Sequence, residues 1–120
     1  MKLSIVSTLY QSKIFLDKFL IEIEKAIQLI QIDDYELIFV NDGSPDNSLQ
    51  HLITLKKEKY SKIKIIDLSR NFGHHYAMQA GLIEAKGDLI FLIDNDLETH
   101  PNVLVNFYKT IKEDKSLDVV

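Results

Sequence analysis

The chain has 120 residues, enough for one ordinary hydrophobic core and too few for two. Its 46% hydrophobic and 27% charged residues exclude a disordered or fibrous protein. A net charge of −4 without a lysine or arginine run gives no electrostatic case for nucleic acid as a partner; the absence of cysteine excludes disulfides and thiolate metal sites, and no apolar run reaches the ~20 residues of a transmembrane helix.

The start, MKLSIVSTLY, carries one lysine and no cleavage-like end, so Leu3 to Thr8 is expected to be a strand and not part of a signal peptide. A helix is expected over Ser12 to Gln31, capped by Ser12, with Phe15, Phe19, Ile23, Ala26, Ile27 and Ile30 as its core face. YELIFVN, Tyr35 to Asn41, is a second strand stopped by the turn-forming DGSPDNS. A second helix follows over Asp46 to Tyr60, a third strand over Lys62 to Ser69, and a third helix over Phe72 to Lys86, closed by Gly87. Leu89 to Asp94 is the fourth strand, and Pro101 to Glu113 a fourth helix with the proline in its first turn. The last residues, SLDVV, look like the opening of a fifth strand, so the chain is expected to be a piece of a longer domain.

Strands alternating with helices imply right-handed crossovers and an α/β fold: a Rossmann-like, doubly wound, mostly parallel sheet with helices on both faces. The unbroken apolar runs ELIFV and LIFLI predict strands buried on both faces. In such sheets ligands bind beyond the carboxyl ends of the strands, where the strand order reverses. The polar features collect at those ends: Thr8-Leu9-Tyr10, Asn41-Asp42-Gly43-Ser44, Ser69-Arg70-Asn71 and Asp94-Asn95-Asp96.

Asp94 and Asp96 are two residues apart in extended chain, so both carboxylates face one side. Close carboxylates repel unless a cation or a shared proton separates them, and hard oxygen donors suit Mg²⁺ or Mn²⁺ together with a substrate's phosphates. A solvated acidic turn ahead of the next helix is the plainer account of the same residues; their place after a buried strand favours the metal. VNDGSPDNS is mostly explained as a connector, with Gly43 permitting a tight turn and Ser44, Asp46 or Asn47 capping the next helix. What it leaves over is Asp42, an acceptor at the rim. In LSRNFGHHYAMQAG, Gly73 opens a helix whose free N–H groups favour an anion, and Arg70, the one arginine, has the planar fork a phosphate fits. His74 and His75 read first as exposed first-turn residues, with a hydrogen bond to a phosphate as the functional alternative. His51 and His100 have no partner that the sequence names.

These residues resemble the N-terminal half of a family 2 glycosyltransferase with the glycosyltransferase-A fold, nearest to the branch of polyprenyl-phosphate (dolichol- or undecaprenyl-phosphate) sugar transferases. The matching pieces are LSIVSTLYQS, ELIFVNDGSPDNS, IDLSRNFGHHYAMQAGL and GDLIFLIDNDLETHP, in the family's order and spacing over nearly the whole chain. The resemblance implies that residues 1–120 are the nucleotide-sugar-binding half of a transferase domain. The donor is a UDP- or GDP-linked sugar, the acceptor a lipid phosphate or a glycan, and the reaction metal-dependent and inverting. It further implies that Ser7-Thr8-Leu9-Tyr10 line the nucleotide pocket and that Asp42 contacts the base. Arg70 and the turn containing Gly73 stand near the donor, Asp94 contacts ribose or sugar, and Asp96 binds the metal with Asp94 and Glu98 beside it. A cytoplasmic location follows, at the cytoplasmic face of a membrane for the full-length protein. The general base and acceptor pocket belong to the other half, so the chain alone is expected to bind donor weakly and transfer nothing.

Three departures stand out. Gln11-Ser12 follows Tyr10 where the family has Asn-Glu, Asn41 replaces the first of two aspartates, and Glu98 replaces a glutamine, adding negative charge near the metal. Two other classes compete: a receiver-like phosphoacceptor signalling domain, which lacks its acidic pair after the first strand here, and a non-catalytic scaffold.

Overall fold

In a computed structural model of the chain the described residues are 1–10, 12–68, 70–95 and 100–113. The elements alternate as β1 (Leu3–Leu9), α1 (Lys13–Leu29), β2 (Tyr35–Asn41), α2 (Ser48–Glu58), β3 (Ile63–Asp67), α3 (His74–Glu84), β4 (Leu89–Leu92) and α4 (Val103–Glu113). The strands form one parallel sheet in the order β3-β2-β1-β4. From β1 to β3 the chain steps one way across the sheet; it then crosses back over β2 and β1 to lay β4 on the other side of β1. Right-handed crossovers in opposite directions put their helices on opposite faces. Accordingly α1, α2 and α4 pack on one face and α3 on the other.

Alternation along the strands sorts the side chains between these faces. Leu3, Ile5, Leu9, Leu37, Phe39, Ile63, Leu89 and Phe91 join the larger core with α1, α2 and α4, whereas Val6, Ile38 and Val40 meet Ala77 of α3. At the centre of the larger core, Phe19 meets Phe39 edge-on at 6.0 Å between ring centroids, a geometry that adds ~0.5–1.5 kcal/mol to area burial. The buried stripe of α1 is Leu16, Phe19, Leu20, Ile23, Ala26 and Ile27. Phe15 departs from the expected stripe: it is half-buried and turns toward the rim of the sheet. Helix α1 stops at Leu29 because Gln31 takes a left-handed φ of 58°.

Several further expectations are corrected. Ser12 occupies the cap position of α1 without capping it; its Oγ accepts instead from the Tyr10 N–H at 3.1 Å. Gly87 does not close α3, which ends at Glu84 with an extended Ala85. Its lack of a side chain serves a close approach, since a Cβ would lie 2.7 Å from the Ser4 backbone nitrogen. Pro101 precedes α4, and its carbonyl accepts the Leu104 N–H. Strand β4 is buried on one face only: Leu89 and Phe91 are buried, Ile90 and Leu92 half-buried. Among the described residues β4 is the last strand of the sheet, so Ile90 and Leu92 pack only at the margin of the cluster that α3 covers. The expected fifth strand lies outside the described residues.

At the amino ends of the strands a polar cluster locks the α3–β4 connection. Glu36 accepts hydrogen bonds from Ser4 Oγ at 2.6 Å and from the Lys86 N–H at 2.7 Å, with Lys64 Nζ 2.7 Å away, while Gly87 N–H donates to Ser4 Oγ. Burial pushes the Glu36 carboxyl up, but the Lys64, Ser4 and Lys86 donors outweigh it and hold it at about 2, against an ordinary 4.5. A carboxyl depressed in this way stabilises the fold fully above its unfolded value and loses that contribution as pH falls toward its folded value. Thermal unfolding between pH 5 and pH 2 is therefore expected to show a stability loss of up to about 3 kcal/mol from this group. Glu36→Gln flattens that part of the profile; an unchanged slope in the variant contradicts the assignment.

Candidate functional site

The strand order reverses between β1 and β4, and at the carboxyl ends of these two strands the surface is hollow. A recess of about 160 Å³ is lined by Ser7, Thr8, His74, Met78 and Asp94, and an adjoining one of about 290 Å³ by Thr8, Tyr10, Phe15, His74, Asp94 and Asn95. Thr8, His74 and Asp94 belong to both. Thr8 Oγ1 stands 3.3 Å from His74 Nδ1, and His74 Nε2 stands 3.9 Å from Asp94 Oδ1. The Asp94 side chain is 65% exposed, so its carboxylate opens into the recess.

The other strand ends are tied into the same rim. Leu9 carbonyl accepts the Asp42 N–H, and Asn41 carbonyl accepts the Leu68 N–H. Asn41 Nδ2 donates to Asp67 at 2.8 Å, and Asp42, only 4% exposed, accepts the Phe72 N–H at 2.9 Å. Asp46 fastens the turn from below: its carboxylate accepts from Ser44, from Ser48 and from the Lys13 N–H, and Ser48 Oγ accepts the Ser12 N–H. Burial pushes Asp46 up, and these hydroxyl and N–H donors bring it down to about 2 from 3.8.

The predicted site residues divide. Thr8, Tyr10 and Asp94 line the hollow. Leu9 does not, because its side chain is fully buried against α1 and its carbonyl is engaged. Asp42 is sequestered as a brace between β2 and the loop before α3. Arg70 is exposed and stacks its guanidinium 4.9 Å from the centre of the Phe72 ring. Gly73 caps α3 with a φ of 101°, and its N–H donates to Asn71 Oδ1 instead of standing free for an anion. Asp96 and Glu98 lie outside the described residues. Among the described residues no three histidine, aspartate or glutamate side chains gather into a ligand set. Of the three candidate ligands Asp94 alone is seen, as an open, hard oxygen donor of the kind Mg²⁺ and Mn²⁺ take.

Spacing in the sequence assigns His74 no single role and Asn95 none. The signal for His74 was tertiary, since only the crossover brings α3 against β1 and β4. For Asn95 the signal lies in the alternation: the residue next to an outward Asp94 in extended chain points inward.

The fold resembles solved glycosyltransferases. A mannosyltransferase of Pyrobaculum calidifontis, solved in complex with GDP-Man and Mn²⁺, aligns over 91% of this chain and 32% of its own, with a TM-score of 0.78 at 18% identity. Staphylococcus aureus TarS in complex with UDP-GlcNAc aligns over 94% of this chain and 32% of its own, with a TM-score of 0.69 at 23% identity. At such identities the likeness speaks for the fold alone, which is that of the glycosyltransferase-A type. A Mycobacterium tuberculosis protein named as a glycosyltransferase is 47% identical over 92% of this chain and 32% of its own length. An undecaprenyl-phosphate 4-deoxy-4-formamido-L-arabinose transferase of Yersinia enterocolitica is 37% identical over 93% of this chain and 34% of its own. The chain thus spans about a third of the length of these curated relatives. With the profile of glycosyl transferase family 2 matching residues 4–120, the chain belongs to that family.

Proposed function

We propose that residues 1–120 are the nucleotide-sugar-binding half of an inverting, metal-dependent glycosyltransferase acting at the cytoplasmic face of a membrane on a lipid-phosphate or glycan acceptor. The observation that carries the reading is the hollow at the β1/β4 switch point, where Thr8, Tyr10, His74 and Asp94 face one another. The undecaprenyl-phosphate transferase among the relatives supports a lipid-phosphate acceptor, and the neighbours in complex with GDP-Man and UDP-GlcNAc support a nucleoside diphosphate sugar as donor. Among the described residues no helix is long and apolar enough to cross a membrane, so the acceptor's membrane would be met by surface contact or through other parts of the protein.

In this reading Asp96, with Asp94 and Glu98 beside it, holds Mg²⁺ or Mn²⁺. When bound, such an ion supplies Lewis-acid neutralisation of charge on a departing diphosphate. The hydroxyls of Thr8 and Tyr10 offer hydrogen bonds to the donor. Arg70 adds positive charge at the same rim, and the braces from Asp42 and Asp46 keep the strand ends in place before donor arrives, which is where electrostatic catalysis gains most. No general base is assigned within the chain.

Calorimetric titration of the chain with UDP and with GDP, each with and without Mn²⁺, tests this. Binding of one nucleotide that depends on the metal is expected. A folded chain that binds neither overturns donor binding by these residues alone and leaves a half too incomplete to hold donor, or a scaffold, which the full-length protein separates; sugar transfer by the chain alone overturns the division of labour.

A further inference from the structure

The residue between the two aspartates does more than separate them. Strand β4 ends its ladder with β1 at the Val6–Leu92 pair, extended by the Ile93 N–H to the Val6 carbonyl. Strand β1 runs on to Leu9, and among the described residues its pairing beyond Val6 is with β2 alone, so there the end of its seam with β4 has no further ladder pair. Asn95 fills that gap. It is 4% exposed, and its Nδ2 donates to Ser7 Oγ at 2.9 Å and to the Thr8 carbonyl at 2.7 Å. A primary amide has two N–H donors on one atom, and both are used across the seam.

We infer that Asn95 is a positioning residue for donor binding: by turning inward onto Ser7 and Thr8 it fixes the outward direction of Asp94 and the width of the hollow between Thr8 and Asp94. The inference rests on the reading given under Proposed function. Two features favour asparagine here. An aspartate of the same shape would set a carboxylate oxygen against the Thr8 carbonyl, acceptor against acceptor. A serine could reach at most one of the two partners. The bonded residues are themselves site residues, because Thr8 lines both recesses and touches His74, which in turn faces Asp94. Losing the clamp therefore moves both walls of the hollow and not merely one side chain.

The test compares Asn95→Asp, Asn95→Ala and Asn95→Ser with the parent chain, reading the affinity for the nucleotide in the presence of Mn²⁺ beside the melting temperature. Leu55→Ala, in the core under α2 and away from the rim, serves as a variant destabilised without touching the seam. The expected result is at least a tenfold weakening of nucleotide binding in Asn95→Asp and Asn95→Ala, a smaller one in Asn95→Ser, and parental affinity in Leu55→Ala. If the parent binds and Asn95→Asp binds equally well, or if Leu55→Ala weakens binding as much, Asn95 is only structural and the inference falls alone. If the parent binds neither nucleotide, the donor-site reading fails first and takes this inference with it. Asn95→Ser keeps the comparison open should the other variants not fold.

Discussion

Asp96→Ala is expected to lower Mn²⁺-dependent nucleotide affinity by at least about 100-fold, while Asp94→Ala lowers it by about 10-fold. The difference follows from the roles proposed for the pair. Loss of a partner that only supports a metal ligand weakens metal binding by ~10–100-fold, and loss of a direct ligand exceeds that range. Asp94 faces the hollow beside His74; in the proposed roles it would meet ribose or sugar directly or through water, and Asp96 would be the ligand whose carboxylate neutralises the ion. Titrations of the two variants with nucleotide, at several Mn²⁺ concentrations, separate the cases. A deficit that excess Mn²⁺ restores marks a metal ligand, and one that it does not restore marks a donor contact. Equal losses in both variants would show that the aspartates share the metal, and no loss in Asp96→Ala would remove the metal site from this rim.

The second large effect is on stability. Gly43→Ala is expected to destabilise the chain by about 3–4 kcal/mol, the sum of left-handed strain and overpacking. Gly43 has a φ of 66°, and a Cβ there would lie 2.4 Å from the Asn71 nitrogen and 2.8 Å from the Arg70 carbonyl carbon. Those are backbone atoms, so no side chain can swing aside to relieve the contact. Gly73→Ala provides the internal comparison. Its φ of 101° is equally unsuited to a side chain, but nothing lies within 4 Å of the added atom. It should therefore cost only the strain, ~1–3 kcal/mol. Urea unfolding of both variants checks the order, and an equal cost at the two glycines would remove the steric part of the explanation.

Much of this architecture is legible in the sequence because alternation of apolar runs with amphipathic segments is a local property. YELIFVN reads as a strand with its observed limits, and the helices are found within a few residues of their ends. What fails is whatever depends on which element lies beside which. LIFLI has the composition of a strand buried on both faces, yet among the described residues β4 is the outermost strand and Ile90 and Leu92 are half-covered. Phe15 fits a helical stripe as well as Leu16 does, and only the position of β1 decides that Leu16 is core. The rim shows the same division. The clustering of polar residues at four strand ends is visible in one dimension, but Leu9 and Asp42 spend their groups on the protein itself, and no spacing rule announces that. His74 becomes a neighbour of Thr8 and Asp94 only after the crossover has been made. The family 2 membership, by contrast, was carried by four linear motifs in order, and the profile match over residues 4–120 agrees with it.

Among the described residues the junction of β1 with β4 has four paired residues on each strand, and it is fastened at one end by Asn95 and at the other by Ser4, Gly87 and the Lys2–Asp88 bonds. A short ladder held by end rivets opens more readily than the long β1–β2 ladder beside it, because regions with few buried contacts lie at the low end of the local-unfolding scale. The hollow therefore sits on the line along which the molecule would part first. A ligand that spans this line would act as a third rivet, so that occupancy of the rim and the cohesion of the sheet become two readings of the same free energy.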